Sequence, residues 1–440
     1  MLSQDFISAI SGPPIAANTA ISKDVGIYSH ALTPSHAVKA TFKKSSTPVN
    51  CLAVSDTHIF TAQDQKAHVH VYSRIRGNQE ALVPFPERIR SVALAGQVLV
   101  LGTAEGRLFL WEVCTGRQVS TPPCHVQAVT CLAVTPHHIL SGSDDSNINV
   151  WSLSRLLELH AQTEHEPDLT LSNHRGAITS LVVGPSTNPE TNICVSASKD
   201  KTCIIWNFQT GQVLRTLLFP APPLCACLDP SARALFVASE EGSLFLVELF
   251  GGEKPVLGSR CTEPSSIVVQ VNTPLSTSEP EAGQPSCIAV TYDGTSILSG
   301  HTKGKILRWS LADNAHPTEL ANLNASVTNL HFVSRLPSAE PTKPVNIVKP
   351  NQNLKQYAFT AQLDSDLGSE TRFSELLTCK GFSSQSLVSA DQASFPTHSD
   401  EQQDPELARQ NQQFWAIMKN HTSLQADFMQ SMNTVTQNPA

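Results

Sequence analysis

Two stretches decide the reading of this chain: SGSDDSNINVW at positions 141–151 and SASKDKTCIIW at positions 196–206. Each opens on a serine among small residues and passes through an Asp-bearing turn. Each then runs through a short strand-like stretch, INV in one and TCII in the other, to a tryptophan. Asp and Asn bond their own backbone and tolerate tight-turn geometry, so the pattern reads as strand, turn, strand. An apolar strand precedes each unit, VTCLAV at 129–134 and ITSLVV at 178–183.

The same three-strand unit recurs along the chain. Further first strands are VNCLAV (49–54), IRSVAL (89–94), LCACLD (224–229), SCIAVT (286–291) and VTNLHF (327–332). Second strands read HIFTAQ (58–63), VLVLGT (98–103), HILSGS (138–143), ICVSAS (193–198), LFVASE (235–240) and SILSGH (296–301). Turns follow at Asp64, Glu105, Asp145, Asp200, Glu241 and Gly304, and third strands end at Tyr72, Trp111, Trp151, Trp206, Val247 and Trp309. Four of the five tryptophans share one repeat position, which scattered core aromatics would not do. The 40 residues from Trp111 to Trp151 match the period of about 40 to 45 residues of a propeller blade. Short antiparallel strands in such a repeat remove their exposed edges by closing radially. The expected fold is all-β, a seven-bladed β-propeller over residues 1–335. VTNLHF lacks following strands, while FISAIS (6–11) and TAISKD (19–24) lack a first strand. The two ends are therefore expected to complete one blade and close the ring.

These repeats resemble the WD40 family. That resemblance implies hydrogen-bonded tetrads of His, Ser, Asp and Trp: His125, Ser141, Asp145 and Trp151 in one blade, His174, Ser196, Asp200 and Trp206 in the next. The other blades depart from the pattern, with Glu105, Lys303 or Val247 at key positions. The run from RGNQEALVPFPERIRSVAL (76–94) through GTAEGRLFLWEVCTGRQV (102–119) to SGSDDSNINVWSLSRLLEL (141–159) further resembles a fungal family, the WD-repeat subunits of the Rix pre-rRNA-processing complex. SGPP (11–14) and ELARQNQQFW (406–415) extend the likeness. It implies a non-catalytic scaffold in the nucleus, in the nucleoplasm and nucleolus. The implied work is processing of the second internal transcribed spacer and pre-60S maturation, beside the other Rix subunits and the AAA ATPase midasin.

Composition limits the alternatives. A formal net charge of −8 argues against a general phosphate-binding surface and favours protein partners, with direct rRNA contact left open. No apolar run has the length of a membrane span, and the opening residues lack a basic start followed by an apolar core. No membrane is therefore expected, and a reducing compartment is. Cys51, Cys131, Cys225, Cys227 and Cys287 sit in apolar strand-like runs, as buried thiols do. The sequence lacks a GxSxG elbow, a phosphate loop and a dinucleotide-binding glycine motif. The repeated Ser, His and Asp read as structure, since a catalytic set would not recur from blade to blade. His68, His70, His137 and His138 have no nearby Cys or carboxylate set, so neither a metal nor another cofactor is expected. Two other classes stay open: a WD40 substrate receptor of a ubiquitin ligase, which captures short peptides, and a propeller enzyme, which needs a polar cluster at the channel.

Outside the repeats, Arg74, Arg76, Arg88 and Arg90 form the one local basic concentration, read as a solvated edge or an anchor for an acidic partner or rRNA phosphate. Two inserts, 152–173 and 259–284, read as loops leaving the ring. Residues 336–403, rich in Pro, Ser, Gln, Asn and Asp, read as a flexible linker. A helix is expected over 404–432, with Asp404 as N-cap, Pro405 at the first position and Glu406 near the positive dipole end. Leu407, Phe414, Ile417, Met418, Leu424 and Phe428 form its apolar stripe, suited to pairing with a partner helix, in a coiled coil or a homodimer. Lys43 and Lys44 alone are no nuclear signal, so import is expected to depend on a partner.

Overall fold

The computed structural model describes residues 4–12, 15, 25–33, 35–43, 45–158, 165–184, 192–251, 256–257, 268–311, 316–333 and 347–350, and seven helical positions between 409 and 423. In chain order, β1 (Asp5–Ser11), β2 (Val25–Ala31) and β3 (Ala37–Lys43) come first. Blade one follows as β4 (Leu52–Val54), β5 (His58–Ala62), β6 (His68–Ser73) and β7 (Gln79–Pro84). Blade two is β8 (Ile89–Ala95), β9 (Val98–Thr103), β10 (Leu108–Glu112) and β11 (Gln118–Ser120). Blade three is β12 (Val129–Val134), β13 (His138–Ser143), β14 (Ile148–Ser152) and, after the short α1 (Leu153–Leu156), β15 (Leu169–Leu171). Blade four is β16 (Ile178–Val183), β17 (Ile193–Ser198), β18 (Thr202–Asn207) and β19 (Gln212–Leu218). Blade five is β20 (Pro223–Leu228), β21 (Ala234–Ser239) and β22 (Ser243–Glu248), completed after β23 (Val268–Gln270) by β24 (Ser276–Thr277). Blade six is β25 (Pro285–Val290), β26 (Ser296–His301), β27 (Lys305–Ser310) and β28 (Thr318–Asn322). Finally β29 (Ser326–Val333) pairs with β1, so blade seven runs β29-β1-β2-β3. The protein is a seven-bladed β-propeller.

The core is divided. Seven apolar clusters each join two neighbouring blades, for example Phe60, Phe85, Leu99 and Trp111 between blades one and two, and Ile7, Ile27, Phe42 and Tyr72 between blades seven and one. Blades therefore bury both faces of their second strands, which is why β9, β17 and β26 are buried throughout. Each blade depends on its neighbours for burial, as in other repeat proteins, and the ring leaves no terminal repeat uncovered.

The seven first strands and six second strands lie where the sequence places them, with shifts of a few residues at their ends. The N-terminal contribution differs. FISAIS falls within β1, but its partner is VGIYSHA in β2; TAISKD lies outside the described residues. The second insert is also not a loop that leaves the ring. Val268–Gln270 pairs in parallel with β19 and covers the outer edge of blade four, and Ser276–Thr277 pairs with β22 as the outer strand of blade five. An uncovered strand edge is a template for unwanted pairing, and β23 removes one. The first insert likewise begins in α1 and ends in β15, with Arg155 paired to Asp168; residues 159–164 lie outside the described ones.

Candidate interaction surfaces

In blade three, the Trp151 indole Nε1 donates to Ser141 Oγ at 3.1 Å. His125 Nε2 stands 2.9 Å from the same Oγ, and His125 Nδ1 stands 3.2 Å from Asp145 Oδ2. The consistent assignment has Nδ1–H donating to the carboxylate and the serine hydroxyl donating to Nε2. Asp145 also accepts from the Val126 and Asn147 amides. Blade four repeats the arrangement with Trp206 to Ser196 at 2.8 Å, His174 to Ser196 at 2.7 Å and His174 to Asp200 at 3.1 Å. Burial alone would raise the Asp200 carboxyl, but bonds from His174, Thr202 and the Arg175 amide hold it well below the usual carboxylate range. Burial pushes His125 down, against the pull of Asp145, so its ring is neutral near pH 7. Each network ties the loop entering a blade to the turn after its second strand. Its side chains are tied to one another and to the backbone amides beside them.

Blade six builds the same device from other residues. Trp309 Nε1 donates to Ser299 Oγ at 2.7 Å, but the imidazole there is His301, from the end of β26. Its Nδ1 faces the Gly283 carbonyl at 3.0 Å, which stands in for the missing Asp. Blade one substitutes Tyr72, whose hydroxyl donates to the Lys43 carbonyl, beside a Gln63, Ser45 and Thr61 cluster. His301 was hidden in the sequence because it ends a second strand, whereas His125 and His174 lie in the loops that enter their blades; the signal was the SxH at 299–301 ahead of a third-strand Trp.

The first strands surround a central cavity of about 200 Å³, lined by Asn50, Leu52, Val92, Leu132, Ser180 and Asn329 among others. Hydroxyls on four of these first strands join neighbouring blades. Thr130 Oγ1 donates to the Ile178 carbonyl at 2.7 Å, Thr179 Oγ1 to the Pro223 carbonyl at 2.8 Å, Ser286 Oγ to the Val327 carbonyl, and Thr328 Oγ1 to the Thr47 carbonyl at 2.6 Å. Each of these four residues sits at a register shift in its strand. The extra residue of a bulge turns its side chain out of the ladder and toward the next blade. Asn50, with φ of 60°, reaches from blade one to the Thr130 carbonyl of blade three at 3.1 Å. Among the described residues, no three His, Cys, Asp or Glu side chains gather as a metal site.

The four arginines do not form one patch. Arg74 and Arg76 lie in the turn between β6 and β7, where Arg74 Nη1 donates to the Ser55 and Asp56 carbonyls and Arg76 faces Glu80 at 3.6 Å. Arg88 and Arg90 lie beyond the other end of β7, whose six residues span about 20 Å. There Arg88 donates to Gln65 Oε1, and Arg90 is exposed at the head of β8. Leu407, Phe414, Ile417, Met418, Leu424 and Phe428 lie outside the described residues; Arg409, Gln412, Gln413, Trp415, Ala416, Lys419 and Ser423 are helical, and all but Trp415 are exposed. Among the described residues, His68, His70, His137 and His138 are not part of any cluster of three metal-ligating side chains.

A family model described as "WD domain, G-beta repeat" matches residues 116–152 and 165–207, which hold both complete tetrads. The chain carries WD40 repeats. It is also homologous, at modest identity, to proteins named for pre-rRNA processing. It is 28% identical over 293 residues to "Pre-rRNA-processing protein IPI3" of Yarrowia lipolytica, covering 66% of this chain and 67% of that one. It is 25% identical over 295 residues to "Pre-rRNA-processing protein crb3/ipi3" of Schizosaccharomyces pombe, covering 61% and 66%. "WD repeat-containing protein 18" of Homo sapiens is 27% identical over 287 residues, covering 64% of each chain. The chain thus spans about two thirds of the length of these relatives.

Proposed function

We propose that this WD40-repeat chain is a non-catalytic scaffold subunit in pre-rRNA processing and large ribosomal subunit assembly. The observation that carries the reading is the alignment, over about two thirds of the chain, with relatives named for pre-rRNA processing. The physical chemistry agrees with it. The His, Ser and Asp groups that resemble catalytic sets are closed into structural networks in two successive blades, and first-strand hydroxyls bond neighbouring blades. At finer grain, the chain works in the nucleus as a Rix-complex subunit, beside midasin on pre-60S particles, in processing of the second internal transcribed spacer. Depletion is the test. Loss of the chain should accumulate large-subunit precursor rRNA that retains this spacer, and purification from cells should enrich pre-ribosomal proteins. Normal precursor levels together with a pull-down dominated by cullin components would overturn the proposal.

The C-terminal helix is the proposed partner-binding element, through Leu407, Phe414, Ile417, Met418, Leu424 and Phe428. The exposed helical positions Arg409, Gln412, Gln413, Ala416, Lys419 and Ser423 recur at intervals of one to four residues, and at 100° per residue they share one side of a helical wheel. The apolar stripe falls on the other side of that wheel. A lone helix of this length is marginal in water, so its stripe is covered by a second helix, from another copy or from a complex subunit.

A further inference from the structure

Blade two lacks the acceptor that its tryptophan needs. In the shared register, Ser141 faces Asn149 two positions before Trp151, Ser196 faces Ile204, and Ser299 faces Leu307. The equivalent pair in blade two is Leu101 with Phe109. Trp111 is fully buried, yet no hydroxyl stands where its indole N–H would donate inside the blade. The N–H instead donates to the Val348 carbonyl at 3.0 Å, from a segment 237 residues further along the chain. The Val348 amide donates in turn to the Val113 carbonyl at 2.9 Å, just past the end of β10. The same residue of the segment is thus gripped through both its N–H and its C=O.

Two further contacts shape the place. Ile347 packs against the apolar cluster that includes Phe60, Phe85, Phe109 and Trp111. Gly116, at φ of +74°, lies beneath the segment, and a Cβ there would come within 2.7 Å of Val348 Cγ1 and 3.1 Å of the Lys349 carbonyl. The Val348 and Lys349 side chains are exposed, so recognition falls on the backbone and on Ile347.

We propose that Trp111, Val113 and Gly116 form a peptide-docking groove on blade two whose resident occupant is the chain's own Ile347–Pro350. The groove takes an extended segment through its main chain, with one aliphatic side chain set into the blade interface, as in other modes of strand-like peptide capture. The 13 residues between Val333, where the ring ends, and Ile347 can stretch to about 45 Å, so the chain supplies this occupant in cis. Tethered in this way, the segment is present at the high effective concentration of a linked ligand and holds the groove closed to competitors.

The test uses the full chain. In the wild type, hydrogen exchange at the Val348 amide should be slowed at least tenfold relative to an unstructured peptide, and Ile347→Asp should abolish that protection. A fluorescein-labelled peptide of residues 344–351 should bind the Ile347→Asp chain at least ten times more tightly than the wild type, whose groove is filled. Adding Trp111→Phe, which keeps the ring apolar but removes the N–H, should weaken that binding at least tenfold. Melting curves of the two variants establish that the ring is intact. An unprotected Val348 amide in the wild type would overturn the proposal. So would a peptide that fails to bind the Ile347→Asp chain, or that binds with and without Trp111→Phe equally well.

Discussion

Asp200 accepts hydrogen bonds from His174, Thr202 and the Arg175 and Thr202 amides, so Asp200→Ala strips one buried network of its anchor. The expected cost is about 1 to 3 kcal/mol, and Trp206→Ala, which also empties part of the core between blades three and four, should cost about 3 to 5 kcal/mol. Equilibrium denaturation of both variants checks this, and unchanged midpoints would mean the tetrad carries no load. A different residue contributes to the acid sensitivity of the ring. His30 is fully buried, bonded to Ser8 at 2.8 Å and stacked on Phe6, and burial with the neighbouring His36 pushes its pKa down to about 3. An unfolded imidazole titrates near 6.5, so between about pH 6.5 and 3 the unfolded chain holds a proton that the fold excludes. Stability from this group is complete above about 6.5 and falls as the pH drops, by up to about 1.4 kcal/mol per pH unit. His30→Gln should flatten the melting temperature's dependence on pH over that range; an unaltered slope would show that His30 does not set it. The tetrads were legible because Ser, Asp and Trp recur at one spacing, 141, 145 and 151 against 196, 200 and 206, with a His four residues before the first strand of each blade. The Trp111 partner was not, since a backbone carbonyl far along the chain has no sequence signature.

The inner three strands of most blades could be read directly, for a physical reason. Their second and third strands are largely buried on both faces by neighbouring blades, so the apolar runs are dense and their ends are marked by turn residues. The outer strands β7, β11, β15 and β28 are half-exposed or only a few residues long, and their pattern is weak. β23 is weaker still, three residues in a Ser- and Pro-rich insert whose pairing is to a different blade. Four of the first strands carry a second message, in the Thr or Ser at their bulges, which bonds the neighbouring blade. Thr179→Val keeps the shape and removes the donor to the Pro223 carbonyl. It should cost about 1 kcal/mol, and Thr130→Val, which loses the bond to Ile178, should cost a similar amount. Each change removes a different blade-to-blade bond, so the double variant should approach the sum if the bonds act independently, a result that denaturant titration can read. A cost near zero for both would mean that solvent replaces these bonds at no loss.

Closure is the property of the whole ring that no single blade holds. β1 pairs with β29 over a register that runs from Asp5 with Val333 to Ser11 with Ser326, joining residues more than 300 positions apart. β29 also ties blade seven to blade one: Asn329 Nδ2 donates to the Pro48 carbonyl at 2.7 Å, and the Cys51 amide donates to Asn329 Oδ1 at 3.2 Å. Contacts of such long separation form late and at high entropic cost, so the last blade should control cooperative folding. Deleting residues 1–12 would leave β29 and β2 with unpaired edges facing each other, and would remove Phe6, Ile7 and Ala9 from the clusters on both sides of blade seven. The expected outcome is a chain that melts broadly, associates in light scattering through the open edges and is cut sooner by protease within blade seven. A peptide of residues 1–12 added in excess should restore part of the cooperativity and suppress association, because it re-forms the same strand pairing in trans. If the truncated chain stays monomeric and melts as sharply and as high as the full chain, the ring does not depend on this clasp, and the packing between the other blades is sufficient to hold it closed.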